Sequence, residues 1–245
     1  MAKTAQLLSD VEQAYDSFKF NGVYRAVYDF VNDLSSVYMD VTKDRLYSES
    51  PDSPRRRAVQ TVLFNILEVL VRVLSPILSF TADEVWECYP EAMRNREGRV
   101  CNVQLAGWPH RSDFVPALPG KAAEDKVLAA FGGALEVRDV VTKALEDARG
   151  AKVINKSQEA TVSVTAPQAT LDALSAFDAS VFEELFIVSG VTFAAGDELA
   201  CEVKPAEGDK CPRCWNYREL GGNANHADVC QRCGDALDAI GFTEE

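Results

Sequence analysis

The sequence predicts a mainly α-helical protein with a small α/β part and a zinc-knuckle module near its C-terminal end. Apolar residues recur at helical spacing over the first half, and the period shortens towards two from residue 160. Four cysteines are paired within the last 35 residues. The 245 residues are 47% hydrophobic, enough for two or three domains with cores of their own. We predict a helical bundle over 1–115, an α/β domain over 116–205 and a zinc-binding module over 206–245.

Apolar residues at intervals of three and four predict three long antiparallel helices in the bundle. The three segments are 4–20, 23–46 and 59–74. Asn21 and Gly22 are expected to separate the first two helices. Pro76 should end or kink the third, because proline lacks the amide hydrogen that a helix needs. Thr81 and Glu84 have the spacing of a capping box, which predicts the start of a short fourth helix.

The second half alternates helices with short strands, as expected of a small α/β domain. Helical spacing continues over 121–149, as one or two helices that Gly150 stops. Alternation over 161–165 predicts a half-buried strand. The remaining segments are a helix over 168–177 and strands over 185–188 and 199–203.

The cysteine pairs Cys211/Cys214 and Cys230/Cys233 have the spacing of a four-thiolate zinc site. Two residues separate the cysteines within each pair, and 15 separate the pairs. Four protein thiolates complete a tetrahedral shell, so we predict one structural Zn²⁺ with no open position for catalysis. His226 lies between the pairs and is an alternative ligand. Forty residues bury little core, so the metal is expected to stabilise the fold of this module.

The other three cysteines are scattered, which is typical of small buried side chains rather than disulfides. They are Cys88, Cys101 and Cys201. This usage suits a reducing compartment, and no apolar run has the roughly 18–20 residues of a membrane span. We therefore expect a cytoplasmic protein without a membrane partner. We also expect it to act as a monomer.

The net charge of −13 argues against nonspecific nucleic-acid binding, which needs a basic surface. Cations are nevertheless concentrated locally. Arg55, Arg56 and Arg57 open the third helix, where the helix dipole disfavours them, so they are candidate phosphate contacts or a solvated charge run. Lys210, Arg213, Arg218 and Arg232 surround the cysteines.

Trp215 directly follows Cys214 and allows two interpretations. The indole can pack over the knuckles, or it can stack on an unpaired RNA base while Arg213 and Arg218 contact phosphate. Arg45, at the end of the second helix, is a further candidate phosphate contact or a solvated helix end.

Catalysis has little support in the sequence. The two histidines, His110 and His226, lie in no nucleophile or base arrangement. Neither a phosphate-binding GxxxxGK[ST] loop nor a dinucleotide-binding GxGxxG motif is present. We predict no catalytic residue.

Several segments together resemble the C-terminal region of the bacterial isoleucyl-tRNA synthetases, which are class I ligases of protein biosynthesis. They are Asp33 to Tyr38, Lys43 to Tyr47, Leu74 to Trp86, Val137 to Glu146 with Arg149, and the two cysteine pairs with Trp215. The first segments also resemble the synthetases for leucine, valine and methionine, whereas the Cys-x-Arg-Cys-Trp knuckle indicates isoleucine.

The resemblance implies an anticodon-binding helical bundle, an α/β junction domain and a zinc-binding end that contacts the anticodon loop of isoleucine tRNA. It also implies that ATP-dependent aminoacylation belongs to a catalytic domain of the same synthetase, whose HIGH and KMSKS signatures this chain lacks. The family pattern has glycine where Asn155 stands; asparagine tolerates positive φ, so we expect the same turn there.

The sequence therefore favours a tRNA-binding chain that is inactive alone. Two further classes of function remain open: a zinc-stapled scaffold that docks protein, and a stand-alone enzyme.

Overall fold

A computed structural model describes residues 1–94, 98–114 and 121–243. The chain divides into two compact units, one of Met1–Val37 with Ala58–Glu124 and one of Tyr38–Arg57 with Asp125–Glu245. The predicted class, mainly helical with small sheets and a cysteine cluster, is confirmed. The boundary at 115/116 lies outside the described residues, and the three-part division stays a prediction. Within the described ranges, no helix combines the length and apolar character needed to cross a membrane.

The first unit is a helical bundle. Its helices are α1 (Ala2–Asp16), α2 (Phe20–Asp33), most of α4 (Pro54–Leu74), α5 (Ser79–Glu87), α6 (Glu91–Arg94) and α7 (Arg111–Phe114). Val11, Val23, Val69 and Val73 form its core. Val11, Val23 and Val73 lie on the apolar faces that the helical period predicted, whereas Val69 was not part of the predicted face.

Two helix boundaries differ from the prediction. The break between α1 and α2 lies at Phe18, whose φ is 54°, and not at Asn21 and Gly22, which belong to the first turn of α2. Gly22 allows close packing instead, because a Cβ there would lie 3.3 Å from the Cβ of Ala14. The helical segment predicted over 23–46 is also interrupted after α2 by a π-helix over Leu34–Met39.

The prediction of a capping box at Thr81 and Glu84 is wrong. Helix α5 begins two residues earlier, at Ser79, and its cap residue Leu78 makes no side-chain capping bond. Since Leu78 amide nitrogen already bonds to the carbonyl of Leu74, the chain re-enters a helix directly after α4. Thr81 and Glu84 consequently lie inside the helix.

The second unit contains α3 (Lys43–Ser48), most of α8 (Lys121–Gly150), and a three-stranded sheet. Strands β1 (Ala160–Ala166), β2 (Gly190–Ala195) and β3 (Ala200–Pro205) have the order β2-β1-β3. Strand β1 is parallel to β2 and antiparallel to β3. A parallel pair needs a crossover, and helices α9 (Gln168–Leu174) and α10 (Ala179–Phe186) provide it.

The core of this unit lies between the sheet and α8. Val137 and Val141 of α8 and Val162 of β1 are fully buried there. The alternating burial of β1 confirms the half-buried strand predicted over 161–165. The strand predicted over 185–188 is wrong: α10 continues to Phe186, and Ile187 ends it in the left-handed conformation with φ 58°.

The C-terminal part of the unit consists of a β-hairpin, a loop and a helix. They are β4 (Asp209–Lys210), β5 (Tyr217–Arg218) and α11 (Gln231–Asp238). An isolated bridge between Leu220 and Cys230 joins the loop to the start of α11.

Candidate zinc module and nucleic-acid interface

The structure brings the sulfurs of Cys211, Cys214, Cys230 and Cys233 together. All four side chains are buried, and their Sγ atoms lie within 4.8 Å of one another. The β4–β5 hairpin presents the first pair, since the amide of Cys211 donates to the carbonyl of Asn216 at 2.9 Å. The second pair lies at the start of α11, where Cys230 is the N-cap residue.

The chemistry of this donor set fits a divalent, thiophilic metal. A hydrogen bond from Cys233 lowers the pKa of Cys214 to about 4, whereas burial raises the pKa of Cys230. Four adjacent thiols cannot all ionise unless a cation balances their charge. With all positions supplied by cysteine, the cluster supports a structural Zn²⁺.

His226 is not part of the sulfur cluster among the described residues. Its imidazole is buried, and Nε2 lies 3.4 Å from Oδ1 of Asp238. This environment favours packing beneath the loop over ligation of a metal that four thiols already surround.

Trp215 is held in an unusual conformation at the hairpin tip. Its φ is 68°, a left-handed conformation that costs a non-glycine residue about 1–2 kcal/mol. The amide of Trp215 donates to the carbonyl of Cys211 at 2.8 Å, and this bond closes the knuckle. The residue remains 51% exposed. About half of its surface is therefore open to a ligand.

The knuckle arginines contact the rest of the unit. Arg213 donates to the carbonyl oxygen of Ser48 at the end of α3. Arg218 pairs with Glu183 of α10 at 2.7 Å. Each has only part of its donor capacity left for a ligand.

The arginines predicted from the helical segments also have partners within the chain. Arg45 bonds to Glu184 at 2.5 Å, and Arg55 bonds to the other oxygen of the same carboxylate. Arg56 donates to the carbonyl of Glu49 at 2.9 Å, and Arg57 also interacts within the chain. A role as phosphate contacts stays a prediction for all four.

A cleft of about 1120 Å³ opens beside the zinc module within the second unit. Helices α3 and α10, the first knuckle and the start of α11 line it. Trp215 and Tyr47 are exposed aromatic residues on its wall, and Tyr47 is 78% exposed. Aromatic faces in a charged groove are a common means of holding unpaired bases.

Sequence reasoning missed three residues of this region: Tyr47, Lys156 and Lys210. The ammonium groups of Lys156 and Lys210 lie 5.2 and 5.5 Å from the centre of the Trp215 ring. Lys210 is one of the cations around the cysteines, and Tyr47 is the last residue of the segment Lys43 to Tyr47 that carries the family resemblance. Both were therefore visible in the sequence, although neither was predicted as a contact. Lys156 directly follows Asn155, where the sequence departs from the family pattern, but its contact with Trp215 is tertiary and could not be predicted.

The turn at Asn155 differs from the expectation. Lys152, with φ 60°, and not Asn155, adopts the left-handed conformation after α8. Asn155 instead donates its amide to Glu159 Oε2 at 2.8 Å. An acceptor side chain rather than positive φ therefore stabilises this loop.

Comparison with known proteins agrees with this architecture. Residues 1–164 match the family described as the anticodon-binding domain of tRNA ligase, and residues 208–235 match a zinc finger found in FPG and IleRS. The chain belongs to the family of tRNA ligase anticodon-binding domains. This confirms the predicted resemblance and associates the protein with tRNA binding.

Individual relatives are isoleucine–tRNA ligases. The ligase of Geobacillus kaustophilus is 39% identical over 95% of this chain and 25% of its own length. That of Kosmotoga olearia is 36% identical over 99% of this chain and 26% of its own length. That of Thermotoga maritima is 36% identical over 95% and 25%. The chain thus spans about a quarter of the relatives it matches.

Proposed function

We propose that this chain is the tRNA-binding C-terminal part of an isoleucine–tRNA ligase. It binds the anticodon stem-loop of isoleucine tRNA, and a catalytic domain of the same synthetase performs the ATP-dependent aminoacylation. The chain alone has no catalytic activity, acts as a monomer and works in the cytoplasm. The anticodon-binding family match and the isoleucine-specific relatives support this assignment.

The exposed position of Trp215 is the structural observation that most supports this proposal. Trp215 is exposed at a strained position in a zinc knuckle, on the wall of a charged cleft. A large apolar side chain costs hydration free energy when exposed, and burial under the knuckle would avoid that cost. Its retention on the surface favours a stacking contact with a base of the anticodon loop.

In this proposal the four cysteines Cys211, Cys214, Cys230 and Cys233 hold one zinc ion, which stabilises the knuckles. The bundle, the α/β domain and the zinc module act as the three parts predicted over 1–115, 116–205 and 206–245. Arg213 and Arg218 orient the knuckle as well as facing the RNA, because each also bonds to α3 or α10.

The test is a titration of the chain with isoleucine tRNA and with an unrelated tRNA at two salt concentrations. We expect tighter binding of isoleucine tRNA, and weaker binding of both as salt rises. Equal affinity for the two tRNAs, or no binding at low salt, would contradict the proposal. An ATP–pyrophosphate exchange assay should remain silent.

A further inference from the structure

Two exposed lysines flank the exposed tryptophan of the first knuckle. The Nζ atoms of Lys156 and Lys210 lie 5.2 and 5.5 Å from the centre of the Trp215 ring. Both distances fall inside the roughly 6 Å over which an aromatic ring attracts a cation. At an exposed site that attraction is worth only about 0.5–1 kcal/mol, so it orients the lysines without neutralising them.

The two lysines differ from the arginines nearby in their partners. Arg218 pairs with Glu183, and Arg232 pairs with Asp44 through both terminal nitrogens. Arg45 and Arg55 share Glu184. Within the described residues, neither Lys156 nor Lys210 has a carboxylate within ion-pair distance. Their charge therefore remains available to an anion.

The backbone under each lysine is fixed. Lys156 precedes a 3₁₀ turn over Ser157–Glu159, where its carbonyl accepts from the amide of Glu159 at 3.0 Å. The carbonyl of Glu159 in turn accepts from Ala206 at 2.7 Å. Lys210 lies in β4 opposite Tyr217 of β5. The two ammonium groups thus project from two different ordered segments towards one ring.

Glu159 is an acidic residue close enough to Lys210 for their charges to interact. Hydrogen bonding from the amide of Asn155 lowers the pKa of Glu159, and the charge of Lys210 contributes less. The carboxylate accepts bonds from both nitrogens of Asn155. Its first role is to close the loop, so it neutralises Lys210 only in part.

We propose that Lys156 and Lys210 bind backbone phosphates on either side of a base that stacks on Trp215. The inference rests on the proposed function and adds two lysines that the sequence analysis did not assign as phosphate contacts. A stacked base and its neighbouring phosphates require an apolar face bordered by mobile positive charge, which is the arrangement around Trp215. In a chain of net charge −13, such local cations are needed to offset repulsion of RNA.

Salt dependence distinguishes a phosphate contact from other roles. Each neutralised phosphate of single-stranded nucleic acid contributes about 0.7 to the slope of log affinity against log salt. The double substitution Lys156→Ala and Lys210→Ala should therefore reduce the slope for isoleucine tRNA by about 1.4. If the two binding lines converge near 1 M salt, the variant binds roughly 25-fold more weakly at about 0.1 M.

Three further variants serve as controls. Lys204→Ala removes another exposed lysine, paired with Glu202 at 3.2 Å, and should leave both affinity and slope unchanged. The double variant Lys156→Arg and Lys210→Arg should keep the slope, because it keeps the charges. Trp215→Ala should weaken binding at every salt concentration without changing the slope, because stacking releases no counterion.

Folding is checked in each variant by zinc content and circular dichroism, and both should equal those of the parent chain. If the parent binds isoleucine tRNA and the double alanine variant keeps its slope, the inference is overturned while the proposed function stands. If the parent chain shows no salt-dependent binding of isoleucine tRNA, the proposed function fails and the inference fails with it.

Discussion

Arg232 at the start of α11 holds the carboxylate of Asp44 in α3 through both of its terminal nitrogens. Nη2 donates to Oδ1 at 2.9 Å, and Nη1 donates to Oδ2. The two residues are 188 positions apart in the chain. Together with the bond from Arg213 to the carbonyl of Ser48, this pair attaches the zinc module to α3. The orientation of Trp215 depends on that attachment.

Replacing Asp44 by asparagine should weaken the attachment. The substitution keeps the shape but leaves a partly buried guanidinium without its countercharge, which costs about 1–3 kcal/mol. We expect a loss of that size in the free energy of unfolding measured by urea titration. Asp40→Asn is the matched control: Asp40 pairs with exposed Lys43 at 2.8 Å, and such solvent-screened surface pairs contribute little to stability. Equal effects of the two substitutions would contradict a special role for Asp44.

The same pair predicts a pH dependence. Burial raises the pKa of Asp44, but the hydrogen bonds and charge of Arg232 outweigh it and hold the pKa below the ordinary 3.8. The carboxylate thus contributes stability that is fully present above pH 3.8 and is lost as pH falls through the folded-state pKa. The stability difference between the parent chain and Asp44→Asn should be constant at neutral pH and shrink below pH 3.8. Because loss of zinc in acid would also disorder the module that carries Arg232, zinc content is measured at each pH and only samples that retain zinc are compared. A difference that grows in acid would contradict the assignment.

Features that depend on local sequence patterns were predicted better than features that depend on tertiary contacts. The helical faces, strand β1 and the clustering of four sulfurs follow from the spacing of residues within single short segments of the chain. The short apolar run Leu185–Val188 was misassigned as a strand, since four apolar residues fit the end of a buried helix equally well.

The partners of the arginines could not be predicted at all. Arg45 and Glu184 are 139 positions apart, and only the packing of α3 against α10 brings them together. For the same reason, a sequence could suggest Arg45 as a phosphate contact without showing that a carboxylate already holds it. The contact of Lys156 with Trp215 likewise exists only after the sheet and the hairpin have formed.

Thiol alkylation should separate the seven cysteines into three groups. Cys88 and Cys101 are exposed and should react fastest. Burial raises the pKa of Cys201 to about 11, so it holds little reactive thiolate at neutral pH. The four knuckle cysteines should react only after a chelator removes zinc, with loss of structure beyond residue 208. Mass spectrometry after iodoacetamide treatment measures the order; knuckle labelling before chelation at the rate of Cys101 would contradict the zinc site.

Two substitutions of Trp215 should separate the strain in its backbone from the role of its indole in tRNA binding. At φ 68° a glycine relieves the left-handed strain that alanine retains. The greater entropy of glycine in the unfolded chain offsets part of this gain. Trp215→Gly should therefore be roughly 0.5–1 kcal/mol more stable than Trp215→Ala. Both variants lack the indole, and both should lose tRNA affinity equally. Urea titration and tRNA titration of the two variants measure the two effects. If alanine proves as stable as glycine, the backbone at this position is not strained.

Substitution of Glu184 tests whether Arg45 and Arg55 lie near the bound tRNA. Its carboxylate pairs with both Arg45 and Arg55, and Glu49 is a second partner of Arg55, so Glu184→Gln should destabilise the second unit by about 1–3 kcal/mol while leaving Arg45 as the unneutralised cation beside the cleft. The released guanidinium group should strengthen tRNA binding at low salt and steepen the salt slope by about 0.7. Arg45→Ala is the control: it should lower stability but change the salt slope little, because the charge it removes is already neutralised. Weaker tRNA binding by Glu184→Gln with an unchanged slope would show that these arginines lie away from the RNA.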